Sequence, residues 1–538
     1  MRPLTISVLA ITVAASLTSF TATRADTAAT CDSFVNSIGV NVKLNYFDTP
    51  YVDYAKTKAV LLKAGIRHIR TGITTNPLVI QRTNDLAAAG IMSTVIVFND
   101  AKGDITPASV REQLTAILPS LEAIEGPNEP DAGFAFGGKQ FPASVILFQN
   151  MLAAIAKEPQ FAKIPLLAPS ISYPPKSAQV PNIAADLGNI HSYHGGRNPG
   201  TTEKNLDLTH FYLENAAIET PGKPIICTET GNPNTAVDDP SLWMPRTPES
   251  VQAKYLLRTY LDYFRQGISR TFVHELVDEH PLPNLSEQNF GLLRNDWSPK
   301  PVYTSLCNTI AIMQDAGPTF KPASLDYTLQ GDVANVRHLL LQKRDGTFYL
   351  VLWQEVSGYD TATKQPIGVP DAQVTLTIPS SFTAVTSYLP MQWATPCKEY
   401  ANKGPIPLRI LDEPVILEIA SGGVDLIVES ASVEHAAVSG QPVKFTATVK
   451  NTGNRPTPPE RMVSVTFFDK THDHKMLTYS STWSKSIAPG ATATMVTDGT
   501  WTPPAAGSYE IEAQVDDLNR VAETNESNNT TTFTVTVK

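Results

Sequence analysis

Two glutamates stand at the C-terminal ends of short apolar runs. Glu129 lies in Ile124-Glu125-Gly126-Pro127-Asn128-Glu129-Pro130-Asp131, and Glu229 in Pro224-Ile225-Ile226-Cys227-Thr228-Glu229-Thr230-Gly231. A carboxylate where a buried strand surfaces costs desolvation free energy unless it has a partner or a task. Two of them at one rim can work across an acetal carbon. One, protonated, donates to the leaving oxygen, and the other, ionised, attacks the carbon, at a separation of about 5–5.5 Å when configuration is retained. Asn128 offers a side-chain amide to a sugar hydroxyl beside the scissile bond, and Pro130, which cannot extend a sheet ladder, marks the strand's end.

Such a pair needs strands that end at the same rim. From Ile38 to about Ala316 the chain alternates β-rich runs with amphipathic stretches, which predicts parallel strands with helices outside. The strand candidates are Ile38 to Leu44, Ile66 to Thr71, Ser93 to Phe98, Ala123 to Gly126, Pro165 to Ala168, Leu187 to Ser192, Pro224 to Thr228 and Arg270 to Leu276. Helices are expected over Tyr54 to Ala64 (closed by Gly65), Pro107 to Leu118 (capped by Thr106), Pro248 to Phe264 (closed by Gly267) and Pro301 to Met313. Eight such units in about 280 residues fit an α/β fold, a (β/α)8 TIM barrel over 26–316. Long stretches follow three strands: Asp131 to Pro142, Asn232 to Thr247 and Val277 to Pro299. In a barrel all three lie on the face where chemistry occurs.

After about Gly317 helical spacing gives way to period two. Val336 to Lys343 and Thr347 to Trp353 flank Asp345-Gly346 as a hairpin, and further short strands continue to Ile419. This predicts a β-sandwich over 317–420, packed on the barrel. A Gly-rich linker at 421–424 precedes a second, Ig-like β-sandwich over 425–538.

The chain has 538 residues, 42% hydrophobic and 17% charged, a globular composition that allows several domains. A net charge of -10 argues against a nucleic-acid partner and favours a neutral or cationic substrate over a polyanion. Residues 1–25 read as a secretory signal, with Arg2, the apolar Leu4 to Phe20 and a cleavage site at Thr23-Arg24-Ala25. The mature protein is therefore expected to be secreted (extracellular, periplasmic or attached to the cell surface), without a membrane span. Cys31, Cys227, Cys307 and Cys397 show no CxxC spacing, so no structural zinc is expected, and Cys227 is expected to be buried and unpaired.

With Asn128-Glu129-Pro130 on a fourth strand and Thr228-Glu229 on a seventh, the barrel resembles clan A of the glycoside hydrolases. The resemblance implies Glu129 as acid/base, Glu229 as nucleophile and Asn128 as the binder of the sugar 2-hydroxyl. It further implies substrate-binding roles for Arg70, in His68-Ile69-Arg70, and for His191 and Tyr193, in His191-Ser192-Tyr193. The barrel-plus-sandwich layout is most similar to family 39 and its neighbours. The chain departs from the clan's pattern at the end of strand eight, Val273-His274-Glu275, where many members place tryptophan. It departs again at Asn99-Asp100, where many place histidine. Both alter the floor of the sugar site, so the clan does not supply the sugar's identity.

Glu275, Trp243 and Trp297 complete the substrate-binding candidates, the tryptophans as stacking surfaces in the long loops. No cofactor and no metal are expected. The last domain resembles the bacterial cell-adhesion-related β-sandwich, through Val449-Lys450-Asn451-Thr452-Gly453-Asn454, which implies attachment to a cell surface or polysaccharide. The function implied is a secreted retaining glycosidase acting on a β-linked oligo- or polysaccharide. The alternatives are a glycosyl-transferring enzyme built on the same residues and a non-catalytic carbohydrate-binding adhesin.

Overall fold

The computed structural model describes residues 22–97, 105–235, 245–281, 285–459, 461–483 and 485–538. Seven parallel strands form one sheet in the order Leu121–Glu125, Met92–Ile96, His68–Gly72, Ile38–Asn41, Thr271–Val273, Ile225–Thr230 and Gly188–His191. Residues 165–168 close the ring as the fifth strand position, with Leu166 bridging Ile124 on one edge and Leu167 bridging Leu187 on the other. The strands are short and rich in Val and Ile and bury almost every residue, as a barrel wall covered by helices requires. The fold is a (β/α)8 barrel followed by two β-sandwiches.

Local chemistry sets the helix limits. Asp53 accepts from the Lys56 amide to start Tyr54–Ala64, and Gly65 ends it in the left-handed region at φ 73°. Thr106 and Ser109 cap Pro107–Ala116 reciprocally. The long helix runs Glu249–Arg265, and the last one Pro301–Met313. Pro77–Ala88 and Ala143–Ala156 are further barrel helices without a counterpart in the sequence reading.

The first sandwich recruits strands from before the barrel. Ala22–Thr27 pairs antiparallel with Ser324–Gly331, and Ala29–Thr30 pairs in parallel with Val336–Gln342. The edge strand crosses the expected cleavage site at Ala25; residues 1–21 of the expected signal lie outside the described residues. The expected hairpin is Val336–Gln342 against Phe348–Gln354, turned at Gly346 with φ 89°. One apolar core spans barrel and sandwich, joining Leu256, Tyr260 and Met313 to Leu341, Val351 and the fully buried Trp353. That continuity makes the two a single packing unit.

The last domain pairs a sheet of three strands with a sheet of four around its own core, where Phe445 stacks on Phe467 at 4.6 Å. Its strand Lys475–Trp483 was not read from the sequence. At the junction Gly453 packs against the linker so closely that a Cβ would meet the Gly423 carbonyl at 2.1 Å. Among the described residues no helix is long and apolar enough to cross a membrane. All four cysteines are free, and Cys227 is buried.

Candidate active site

Arg70, at the second strand, is the hub of the rim. Its Nε and Nη2 hold Glu125 at 2.7 and 2.8 Å, its Nη1 donates to Glu229 Oε2 at 2.9 Å, and Nη2 also reaches Asn128 Oδ1 at 2.7 Å. With its amide oriented to satisfy both neighbours, Asn41 donates to the Thr228 carbonyl and accepts from Arg70 Nη1, each at 3.2 Å. The guanidinium is 3% exposed, and its burial is compensated by two carboxylates. Burial works against its charge, and Glu125 and Glu229 outweigh it, raising its pKa.

Glu229 reaches the cavity through a bulge. The seventh strand shifts register against the sixth between Cys227 and Glu229, which re-aims the side chain. Tyr193 donates to Glu229 Oε1 at 2.5 Å, so both carboxylate oxygens carry donors. Burial opposes ionisation of Glu229, but His191, His274, Arg70 and the Tyr193 hydroxyl outweigh it and hold the carboxyl well below the ordinary range. Of these charges Arg70 persists at every working pH, because burial drives His274 down to about 3. Burial and the facing Glu229 push the Tyr193 phenol well above its ordinary range, so it remains a donor.

Glu129 follows the fourth strand in a left-handed conformation, φ 43° and ψ 52°, a turn that costs a non-glycine residue about 1–2 kcal/mol. The backbone is pinned there by a bridge between Asn128 and Ser170, whose hydroxyl accepts from the Glu129 amide at 3.3 Å. His191 Nδ1 lies 2.9 Å from Glu129 Oε1, and its Nε2 faces Arg70 Nη2 at 3.3 Å. The same Nε2 lies 3.2 Å from Thr228 Oγ1, so His191 bridges Glu129 to the buried network of Arg70 and Thr228. Among the described residues the second oxygen of Glu129 makes no hydrogen bond, and Glu129 lines the cavity. One oxygen of Glu129, one of Glu229 and the His191 nitrogen all lie within 4.8 Å of one another.

These residues open on a cavity of about 540 Å³ whose wall includes Arg70, Asn128, Glu129, Glu229, His274 and Glu287. Of the candidates from the sequence, Arg70, Asn128, Glu129, His191, Tyr193 and Glu229 come together. Glu275 does not reach the wall: it is fully buried, takes a hydrogen bond from Tyr51 at 2.9 Å, and lies 3.7 Å from Lys43. His274, just past the strand Thr271–Val273, lines the cavity instead. Trp297 packs against the core shared by barrel and sandwich. Trp243 and Asn99-Asp100 lie outside the described residues.

Sequence reading missed Glu125, Lys43, His274 and Glu287. Glu125 had a signal, a charge inside the apolar Ala123-Ile124 run, and it is fully buried against Arg70, Asn189 and Thr228. Lys43, His274 and Glu287 have none, because only the closed ring brings them to one wall.

The family model described as CARDB matches residues 423–533. Among solved structures, the chain is similar to a family 39 glycoside hydrolase from the gut symbiont Bacteroides cellulosilyticus WH2, at 16% identity over 73% of this chain and 82% of that chain, TM-score 0.49. It is similar to a glucosidase from Croceicoccus marinus at 11% identity over 68% of this chain and 91% of that chain, TM-score 0.46. A CARDB domain from Pyrococcus furiosus, described in complex with di-metal ions, is 28% identical over 22% of this chain and 90% of that chain, TM-score 0.18. No curated protein matches the chain.

Proposed function

We propose that the protein is a secreted retaining glycoside hydrolase acting on a β-linked oligo- or polysaccharide. The observation that carries this reading is the approach of Glu129 and Glu229 to within 4.8 Å, oxygen to oxygen, on the wall of one cavity. That approach suits the separation of about 5–5.5 Å used in direct attack better than the roughly 6.5–9.5 Å used when a water attacks. The environments also differ in the required sense. Glu229 carries Arg70 and Tyr193 on its two oxygens, as a carboxylate kept ionised for attack does. Among the described residues Glu129 meets no arginine or lysine within ion-pair distance, and in this reading it keeps one oxygen for a proton.

In this reading Glu229 attacks the anomeric carbon while Glu129 protonates the leaving oxygen, giving a glycosyl ester on Glu229. Glu129 then takes a proton from water, whose oxygen attacks the same carbon and frees Glu229. Asn128 Oδ1 is anchored on Arg70, so its amide hydrogens are presented to the sugar hydroxyl next to the reacting carbon. Transfer to a second sugar instead of water uses the same residues, and product analysis at high acceptor concentration separates the two.

A metal-dependent hydrolysis is the second reading, because Glu129, His191 and Glu229 present three donor atoms within 4.8 Å. The permanent cation on Glu229 disfavours a divalent ion there, and His191 Nδ1 is already engaged by Glu129 at 2.9 Å. Turnover of a β-glycoside panel, with and without chelator, tests both. Chelator-insensitive hydrolysis lost in Glu129→Gln and in Glu229→Gln is expected, and cleavage at the wild-type rate by either variant contradicts the mechanism.

A further inference from the structure

Among the described residues of the cavity wall, the two fixed cations are already committed. Arg70 spends its donors on Glu125, Glu229 and Asn128. Lys43 is held by Glu279, lies 3.7 Å from Glu275 Oε1, and rests over the Tyr46 ring at 5.1 Å. Neither is free to receive a carboxylate or sulfate of a substrate.

The negative side is not balanced. Glu129, Glu229 and Glu287 all face the cavity, and the Glu287 side chain is 66% exposed with no hydrogen-bond partner of its own among the described residues. Beneath it, Nε2 of His274 is also unpartnered although the residue is 5% exposed and lines the same wall. The Nε2 and Glu287 Oε1 lie 3.7 Å apart. A single donor nitrogen can stand at hydrogen-bond distance from two acceptors so spaced. A buried polar nitrogen left without a partner is costly, so its retention at a cavity wall points to a ligand group that satisfies it.

We infer that this cavity takes an amino sugar, whose ammonium group is received by Glu287 and the Nε2 of His274, and that it rejects uronic acids. The inference rests on the glycosidase reading for the site, but not on turnover for its test. Desolvation at the rim, offset in part by Lys43, together with repulsion from Glu229, Glu279 and Glu129 raises the Glu287 carboxyl, with water screening part of that effect, and a bound cation relieves it. His274, kept uncharged by its burial, can accept from an ammonium where an imidazolium could not.

Calorimetric titration of the full chain with a glucosamine tetrasaccharide, its N-acetylated counterpart, a neutral β-glucan tetrasaccharide and a tetra-uronide tests this directly. The free amine is expected to bind about tenfold more tightly than the neutral and acetylated chains, the difference between a charge-assisted and a neutral hydrogen bond. The uronide is expected to bind most weakly. Glu287→Gln should erase the amine's advantage, and His274→Phe should reduce it, with folding checked by thermal melting. Equal affinities, tight uronide binding, or an advantage unchanged in folded Glu287→Gln overturns the inference. Selective amine binding without cleavage of any of these chains would instead count against hydrolysis and leave the recognition standing.

Discussion

Arg70 Nη1 and Glu229 Oε2 lie 2.9 Å apart, and the same guanidinium grips Glu125 with two further hydrogen bonds. The buried Glu125 therefore fixes the cation, and the cation favours the charged form of Glu229. Arg70→Met should cost about 3–5 kcal/mol of stability, the penalty of stranding a buried charge. It should also raise the acid limb of the kcat/KM profile, because the folded carboxyl of Glu229 is held low by its surroundings. A depressed carboxyl contributes stabilisation above its ordinary range and loses it only as pH falls below. An acid limb unmoved in a folded Arg70 variant contradicts this role.

The two glutamates should fail differently. Glu229→Gln removes the proposed nucleophile and should silence all substrates. Glu129→Gln removes the proposed proton donor, worth about 10²- to 10⁴-fold, and should spare kcat/KM, which reports the first displacement, for glycosides whose leaving group needs no proton, while kcat falls because water has lost its base. Rates with a dinitrophenyl glycoside against an alkyl glycoside separate the cases. Equal losses of kcat/KM on both substrates in Glu129→Gln would exclude it as the acid.

Glu275 sets an alkaline limit. Burial, only partly offset by Lys43, raises its carboxyl from 4.5 to about 8. Between those values the folded chain keeps a proton that the unfolded chain has released, so this group's contribution to stability is lost as pH rises through the window. Glu275→Gln should flatten the fall in thermal midpoint between pH 5 and 9 (roughly the window's span). A slope unchanged from wild type contradicts the assignment.

The sandwich props the loop that follows Tyr193. Glu355 Oε1 accepts from Asn198 Nδ2 at 2.6 Å and from the Gly200 amide at 3.1 Å, while its Oε2 accepts from Trp353 Nε1 at 2.8 Å. Glu355→Ala strands these donors and the buried Arg258, 3.7 Å away, and should cost about 3–5 kcal/mol. Thermal melting checks it, and an unchanged midpoint would show that the loop is held by other contacts.

How far the sequence could be read follows from where each signal resides. Strand-end carboxylates are local, so Glu129 and Glu229 stand out from their apolar runs, and the helix limits at Gly65 and Thr106 follow from capping chemistry. Pairing between residues 22–27 and 324–329 spans some three hundred positions and leaves no local pattern. The eighth strand ends at Val273, and beyond it no period-two alternation tells which of two neighbours faces the cavity; the sequence points to Glu275, whereas His274 lines the wall. Trp297 has the composition of a stacking platform, yet its backbone adopts φ 70° and its ring joins the core.

The most direct test is a proton-NMR time course of the first product released from a β-linked substrate that the enzyme cleaves. Two displacements at one carbon, through an ester on Glu229, predict that the β-anomer appears first and then mutarotates. The α-anomer appearing first would mean a single displacement by water, for which carboxyls about 6.5–9.5 Å apart are used, and would contradict the account.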